Sequence, residues 1–232
     1  MLLRKCLLLV ALVASIAFSQ TTSAALLTYT NLADYQAQLI ASGIAETNFT
    51  NFDSLVPLAR GMGSGTNFET AGIAFVGQNS LPLAPFSTST ESGATNSGLN
   101  FLGADFTNGT DFFGGDSFTI ALQGASRAVR LNISTPNLID SVNLATLTVG
   151  GTSISTLDAN KTPISGGTNG YFLGIIDTTS SFSLASVSFL GAPLFRADDV
   201  GLVSVTGIPE PSSFALAAVA GLFTFTRRRR VR

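Results

Sequence analysis

The stretches SFTIAL at residues 117–122 and AVRLNI at 128–133 alternate polar and apolar side chains, and residues 141–149 follow the same pattern. A period of two places one set of side chains on each face of a β-strand. Gly150 and Gly151 then separate the third stretch from residues 152–157, which predicts a two-residue hairpin turn. The centre of the chain is therefore predicted to be antiparallel sheet.

Short runs of the same kind on both sides bring the prediction to ten strands, at residues 48–52, 72–76, 99–102, 117–122, 128–133, 141–149, 152–157, 171–176, 182–189 and 200–205. One short helix is predicted ahead of them, capped by Asn31 and stopped by Gly43. Its apolar face would carry Leu32, Tyr35, Leu39 and Ile40. Many strands joined by polar turns predict an all-β domain, an antiparallel jelly-roll-like β-sandwich with one short N-terminal helix.

Composition excludes several classes of protein. The 232 residues contain no His and one Cys, so a Ser-His-Asp triad, a Cys-His pair, a zinc finger and a zincin are all excluded. Between Lys5 and Arg227 the chain has five basic and fourteen acidic residues, a net charge of −9. An acidic surface argues against nucleic-acid binding and is compatible with calcium outside the cell.

Residues 1–24 have the pattern of a secretory signal peptide. Arg4 and Lys5 precede an uncharged apolar run at 7–18, and small residues follow at 22–24. Signal peptidase is therefore expected to cut after Ala24. A retained membrane anchor is the alternative.

Residues 208–232 form a tripartite tail. Its parts are the triplet Pro209, Glu210 and Pro211, an uncharged apolar run at 214–225, and the cluster Arg227, Arg228, Arg229 and Arg230. A helix over 212–226 would be about 22 Å long, short for a hydrocarbon core of about 30 Å. The prolines keep their stretch extended, and the arginines predict a cytoplasmic end for a C-terminal transmembrane helix.

These three parts, in this order, resemble the PEP-CTERM sorting signal of exported bacterial proteins. The resemblance implies recognition by an exosortase, an integral-membrane cysteine peptidase that processes the tail near the Pro-Glu-Pro. It implies passage through an inner-membrane intermediate to the cell surface or extracellular matrix, with a link to exopolysaccharide or biofilm. A permanently tail-anchored envelope protein is the alternative, because an apolar helix followed by arginines satisfies the topology rules alone.

The predicted domain at 25–207 also carries short segments similar to those of other PEP-CTERM proteins. They are Phe52-Asp53, the strand GIAF at 72–75 and the segment FRADDV at 195–200. Such bodies often resemble carbohydrate-binding-module sandwiches. The likeness implies a β-sandwich and makes extracellular polysaccharide a candidate partner.

Three aspartates are candidate calcium ligands. Asp198 and Asp199 precede the last strand, where neighbouring residues point to opposite faces unless a bulge or loop intervenes. Asp53 could join them if the early strand and the last strand are neighbours. The alternative is a polar, hydrogen-bonded strand start. The loop from Asp105 to Asp116 lacks the spacing of a calcium loop and is predicted to form turns.

No assembled catalytic set is visible in the body. Its only glutamates, Glu46, Glu69 and Glu91, lie in polar stretches between elements, and the chain has no Trp for sugar stacking. A non-catalytic structural or adhesive role is therefore predicted. A carboxylate-dependent hydrolase acting on polysaccharide is the alternative.

Overall fold

The computed structural model describes residues 25–59, 61, 65–89, 94–106, 109–192 and 194–204. The predicted signal peptide and the predicted sorting signal lie outside these residues. Within them, none of the helices has the length and apolar character needed to cross a membrane.

The described residues form thirteen β-strands, one α-helix and a 3-10 turn at Ser165–Gly167. In chain order the elements are β1 (Leu26–Tyr29), α1 (Leu32–Ala41), β2 (Asn48–Thr50), β3 (Asn67–Thr70), β4 (Ile73–Gly77), β5 (Leu83–Ser87), β6 (Asn100–Ala104), β7 (Ser117–Thr135), β8 (Leu144–Val149), β9 (Thr152–Ser155), β10 (Thr162–Pro163), β11 (Asn169–Asp177), β12 (Phe182–Leu190) and β13 (Arg196–Ser204). All ladders between these strands are antiparallel.

The long strand β7 organises the sheet. Its first part pairs with β4 and β12, and its second part pairs with β11 and β13. Gly124 lies between the two parts with φ 128°, in a region that side-chain-bearing residues rarely adopt. The two strands predicted at 117–122 and 128–133 are thus one strand of 19 residues, which changes its neighbours along its length.

One face of β7 lines the main hydrophobic core. Val129, Leu131 and Ile133 are fully buried there, together with Phe118 from its first part. Around them, Phe112 and Phe189 stack with ring centroids 4.7 Å apart. Both parts of β7 therefore contribute to a single core.

The predicted all-β antiparallel class with one helix is confirmed. The Asn31 side chain caps α1 by accepting a hydrogen bond from the Asp34 amide at 2.8 Å, and Gly43 follows the helix with φ 65°. Gly150 and Gly151, both at positive φ, join β8 to β9 in the predicted hairpin. Tyr35 and Leu39 are buried as predicted, whereas Leu32 is 38 % exposed and Ile40 is 78 % exposed, so their predicted places on the buried helix face are wrong.

Four strands were not predicted: β1, β3, β5 and β10. β5 contains Pro85 and lies at one end of the strand order, the position where a sheet tolerates a residue without an amide hydrogen. β10 has two residues, one of them Pro163. Short strands that contain proline give no alternation signal.

Candidate functional site

The second face of β7 is polar and mostly buried. Antiparallel partners project to the same side of a sheet, and the register pairs Ser134 with Arg196 and Asn132 with Asp198 on β13. Arg130 lies on the same face of β7 as Asn132 and Ser134. We call the side chains of Arg130, Asn132, Ser134, Arg196 and Asp198 the polar face.

Glycines make room above the polar face. Gly170 of β11 lies opposite Ser134, and Gly201 of β13 lies opposite Arg130. A Cβ at Gly170 would overlap the Asn96 side chain, and a Cβ at Gly201 would overlap the carboxylate of Glu46. The segments that carry Glu46 and Asn96 therefore pack directly onto the sheet.

Glu46 holds Arg130 in a two-point ion pair. Arg130 Nε donates to Glu46 Oε1 at 2.6 Å, and Nη2 donates to Oε2 at 2.9 Å. The guanidinium also lies 4.8 Å from the centroid of the Phe49 ring. Both oxygens of Glu46 are thus engaged in holding the chain together, which does not favour the proton-transfer role of the hydrolase alternative. Glu69 is exposed on β3, and Glu91 lies outside the described residues.

Asp198 and Asp199 lie within β13, which begins at Arg196, and not ahead of the last strand as predicted. A bulge in β13 brings both side chains to the segment at 97–100. The pairing of β13 with β7 shifts register between Asp198 and Gly201, and Asp199 has φ 49°. Asp198 Oδ2 accepts from the Ser97 amide at 3.0 Å, and Asp199 Oδ1 accepts from the Ser97 hydroxyl at 2.5 Å. The bulge that the sequence analysis required for both aspartates to face one side is therefore present.

Asp53 also contacts the segment at 97–100. β2 pairs with β13, so the early and last strands are neighbours, as the prediction required. Asp53 itself lies beyond the end of β2, after a left-handed Phe52 at φ 62°, and not on the strand as predicted. Its Oδ1 accepts from the amides of Leu99 and Asn100 at 2.8 and 2.9 Å.

The electrostatics of these acids centre on Asp198. Burial, followed by the negative charge of Asp199, raises the pKa of Asp198 to about 8, although hydrogen bonds from the amides of Ser97 and Asp199 oppose the rise. In the part of the chain that the structure describes, no group of three or more acidic, His or Cys side chains is placed to hold a metal ion. The observed contacts instead hold residues 97–100 against β13, and calcium binding stays a prediction.

A small cavity lies at the end of the polar face. Its volume is about 200 Å³, and it is lined by Ala94, Asp111, Ser134, Pro136, Gly166, Thr168, Leu194 and Arg196. Arg196 Nε donates to Asp111 Oδ1 at 2.5 Å, and its guanidinium lies 4.2 Å from the centroid of the Phe101 ring. The buried hydroxyls of Ser134 and Thr168 have no hydrogen-bond partner in the structure.

The sequence did not indicate this cavity. The sequence predicts turns for the loop that contains Asp111, and Ser134 lies just beyond the strand predicted at 128–133. Asp111 and Arg196 are 85 positions apart, so no local pattern links them. Polar side chains on alternate positions of β7 were the available signal, and they usually indicate a solvent-facing side.

Comparison with known proteins finds no matching family model, no matching curated protein and no matching solved structure. The sorting residues Pro209–Pro211 and Arg227–Arg230 lie outside the described residues. The resemblance to PEP-CTERM proteins therefore rests on the sequence motifs themselves.

Proposed function

We propose that this chain is a non-catalytic exported protein that an exosortase sorts to the cell surface or extracellular matrix, where it acts as a structural or adhesive module of exopolysaccharide or biofilm. The observation that carries the proposal is the order Pro209-Glu210-Pro211, apolar run, arginine cluster in the sequence. The signal-peptide pattern at 1–24 supports it, because an exosortase substrate must first be exported.

The fold that we propose for the body is a jelly-roll-like β-sandwich. Two observations support it. β7 changes its neighbours along its length and contributes to one core throughout. β11 packs against β8 and β9 although it forms no ladder with either, as strands in facing layers do.

The sorting proposal is tested with a Pro209→Ala/Pro211→Ala double variant in a host that contains the exosortase. Alanines would allow the predicted apolar helix to extend through the triplet, because alanine has no fixed φ and carries the amide hydrogen that proline lacks. We expect the unmodified body in the surface or extracellular fraction and the variant in the inner membrane, as measured by immunoblotting of cell fractions.

Pro57→Ala is the matched control, because Pro57 is exposed in a loop of the body and should not affect sorting. An unmodified protein that stays in the inner membrane of the exosortase-containing host contradicts the proposal. Equal distribution of the double variant and the unmodified protein contradicts it as well.

A further inference from the structure

The cavity at the end of the polar face is lined by one hydroxyl residue on β7 and by another just before β11. Ser134 on β7 lies between Gly170 of β11 and Arg196 of β13 in the ladder. Thr168 precedes Gly170 by two residues, which places it on the same side of the chain. Ser134, Thr168 and Arg196 therefore converge on one space of about 200 Å³.

The two hydroxyls are the observation that points to a ligand. Ser134 is 0 % exposed and Thr168 is 3 % exposed, and neither hydroxyl has a hydrogen-bond partner in the structure. Buried polar groups in folded proteins are normally satisfied, so each exception calls for an explanation. Both residues line the cavity, where a ligand can supply the absent partners.

Charge and shape narrow the class of ligand. Arg196 is neutralised by Asp111 and lies against Phe101, so the cavity offers fixed donors and acceptors without a net charge. Ala94, Pro136 and Leu194 add apolar wall. A neutral molecule with several hydroxyls and exposed C–H groups fits this surface better than an anion does.

Size narrows the class further. Water occupies about 30 Å³ per molecule in the liquid, so a cavity of about 200 Å³ holds the volume of roughly six or seven waters. That is below the roughly 300 Å³ at which pockets for drug-sized ligands begin. We propose that the cavity binds one neutral, hexose-sized sugar unit through Ser134, Thr168 and the Arg196–Asp111 pair. This inference adds a ligand class to the proposed adhesive role. It rests on that role, because the role supplies the source of the sugar.

The test is saturation-transfer NMR on the full chain in a zwitterionic detergent that has no sugar head group. The probes are glucose, galactose, mannose and N-acetylglucosamine, with glucuronate as the anionic comparison. We expect millimolar binding of at least one neutral sugar. Ser134→Ala and Thr168→Val should each weaken that binding about fivefold, because each substitution removes one ordinary hydrogen bond to the sugar.

Thr110→Val is the matched control. Thr110 is 0 % exposed, and its hydroxyl also has no partner in the structure, but it does not line the cavity. This variant should bind like the unmodified protein. Ser134→Ala and Thr168→Val should keep their melting temperatures, because neither hydroxyl makes a hydrogen bond within the protein.

Three results would overturn the inference: no neutral sugar binding at 50 mM, tighter binding of glucuronate than of every neutral sugar, or equal weakening by Thr110→Val. The assay uses purified protein, so it does not depend on sorting. Retention of the tail in cells contradicts the sorting proposal and leaves the cavity assignment standing.

Discussion

A carboxyl group buried beside a second carboxylate can lower its free energy by taking up a proton or by binding a cation. Asp198 is in this position, fully buried beside Asp199, and its pKa is raised to about 8 by burial and by that neighbouring charge. Its two oxygens accept hydrogen bonds from the amides of Ser97 and Asp199. At the scale of single residues, the acid that the sequence assigned to calcium is in the structure an anchor for the segment at 97–100.

The raised pKa of Asp198 predicts the pH dependence of stability. An aspartate in the unfolded chain has a pKa of about 3.9, whereas Asp198 has a pKa of about 8 in the folded protein. Between these values the folded state binds more protons, so the free energy of unfolding should fall as the pH rises from about 4 to 8 and level off above that. Asp198→Asn should flatten this slope. Urea denaturation of the full chain at several pH values measures it.

The slope is the informative quantity, because the side-chain amide introduced by Asp198→Asn also replaces one hydrogen-bond acceptor and can lower stability at every pH. Asp158→Asn, in an exposed turn after β9, is the matched control and should keep the original slope. An unchanged slope in Asp198→Asn contradicts the account of this carboxyl. The same series with added Ca²⁺ tests the calcium prediction, because a bound cation would stabilise the charged form and reduce the slope.

At the scale of elements, alternating polar side chains on β7 are compatible with a side that faces solvent and with a side that the chain covers. The sequence alone does not distinguish the two. Arg130 and Asn132 occupy the positions that a solvent-facing strand side would have. The structure covers them with other parts of the chain, and Arg130 meets Glu46, 84 positions away. Local sequence contains no signal for such a distant partner.

Gly201 tests how closely the covering segment packs on β13. Gly201→Ala places a methyl group where the Glu46 carboxylate lies, so the carboxylate must shift and its ion pair with Arg130 is disturbed. We expect a loss of about 1–3 kcal/mol in the free energy of unfolding, the usual cost of overpacking. Chemical denaturation of the full chain measures this loss.

Gly65→Ala is the control for the Gly201 variant. A Cβ at Gly65 meets only backbone atoms of Asn67 at 3.8 Å, an ordinary contact. It should leave stability within about 0.5 kcal/mol of the unmodified value. Equal stability of Gly201→Ala and the unmodified protein would show that Glu46 is not held as described.

Elements with local signals were predicted well. The Asn31 cap, the Gly43 stop and the Gly150-Gly151 hairpin depend on residues close together in sequence, and all three are confirmed. β5 was missed because Pro85 normally argues against a strand, and only its place at the edge of the sheet allows it. The two strand segments of β7 were predicted separately, because the continuity across Gly124 comes from its partner strands.

At the scale of the whole molecule, the sequence predicted part of the site. It named Asp53, Asp198 and Asp199, and the structure brings all three to residues 97–100. It did not predict the cavity, because its lining residues come together only when β7, β11 and β13 assemble and the loop that carries Asp111 reaches Arg196. A linear motif such as the proposed sorting signal at 208–232 needs no tertiary structure and is therefore visible in the sequence alone.

The most direct test of the sorting proposal is the intact mass of the protein recovered from the membrane and extracellular fractions of its native host. The mass gives both termini at once. We predict an extracellular form that begins after Ala24 and lacks the residues following the Pro209–Pro211 triplet. A protein that occurs only in the membrane fraction, with Arg227–Arg230 still attached, would contradict exosortase sorting and indicate a permanently anchored envelope protein.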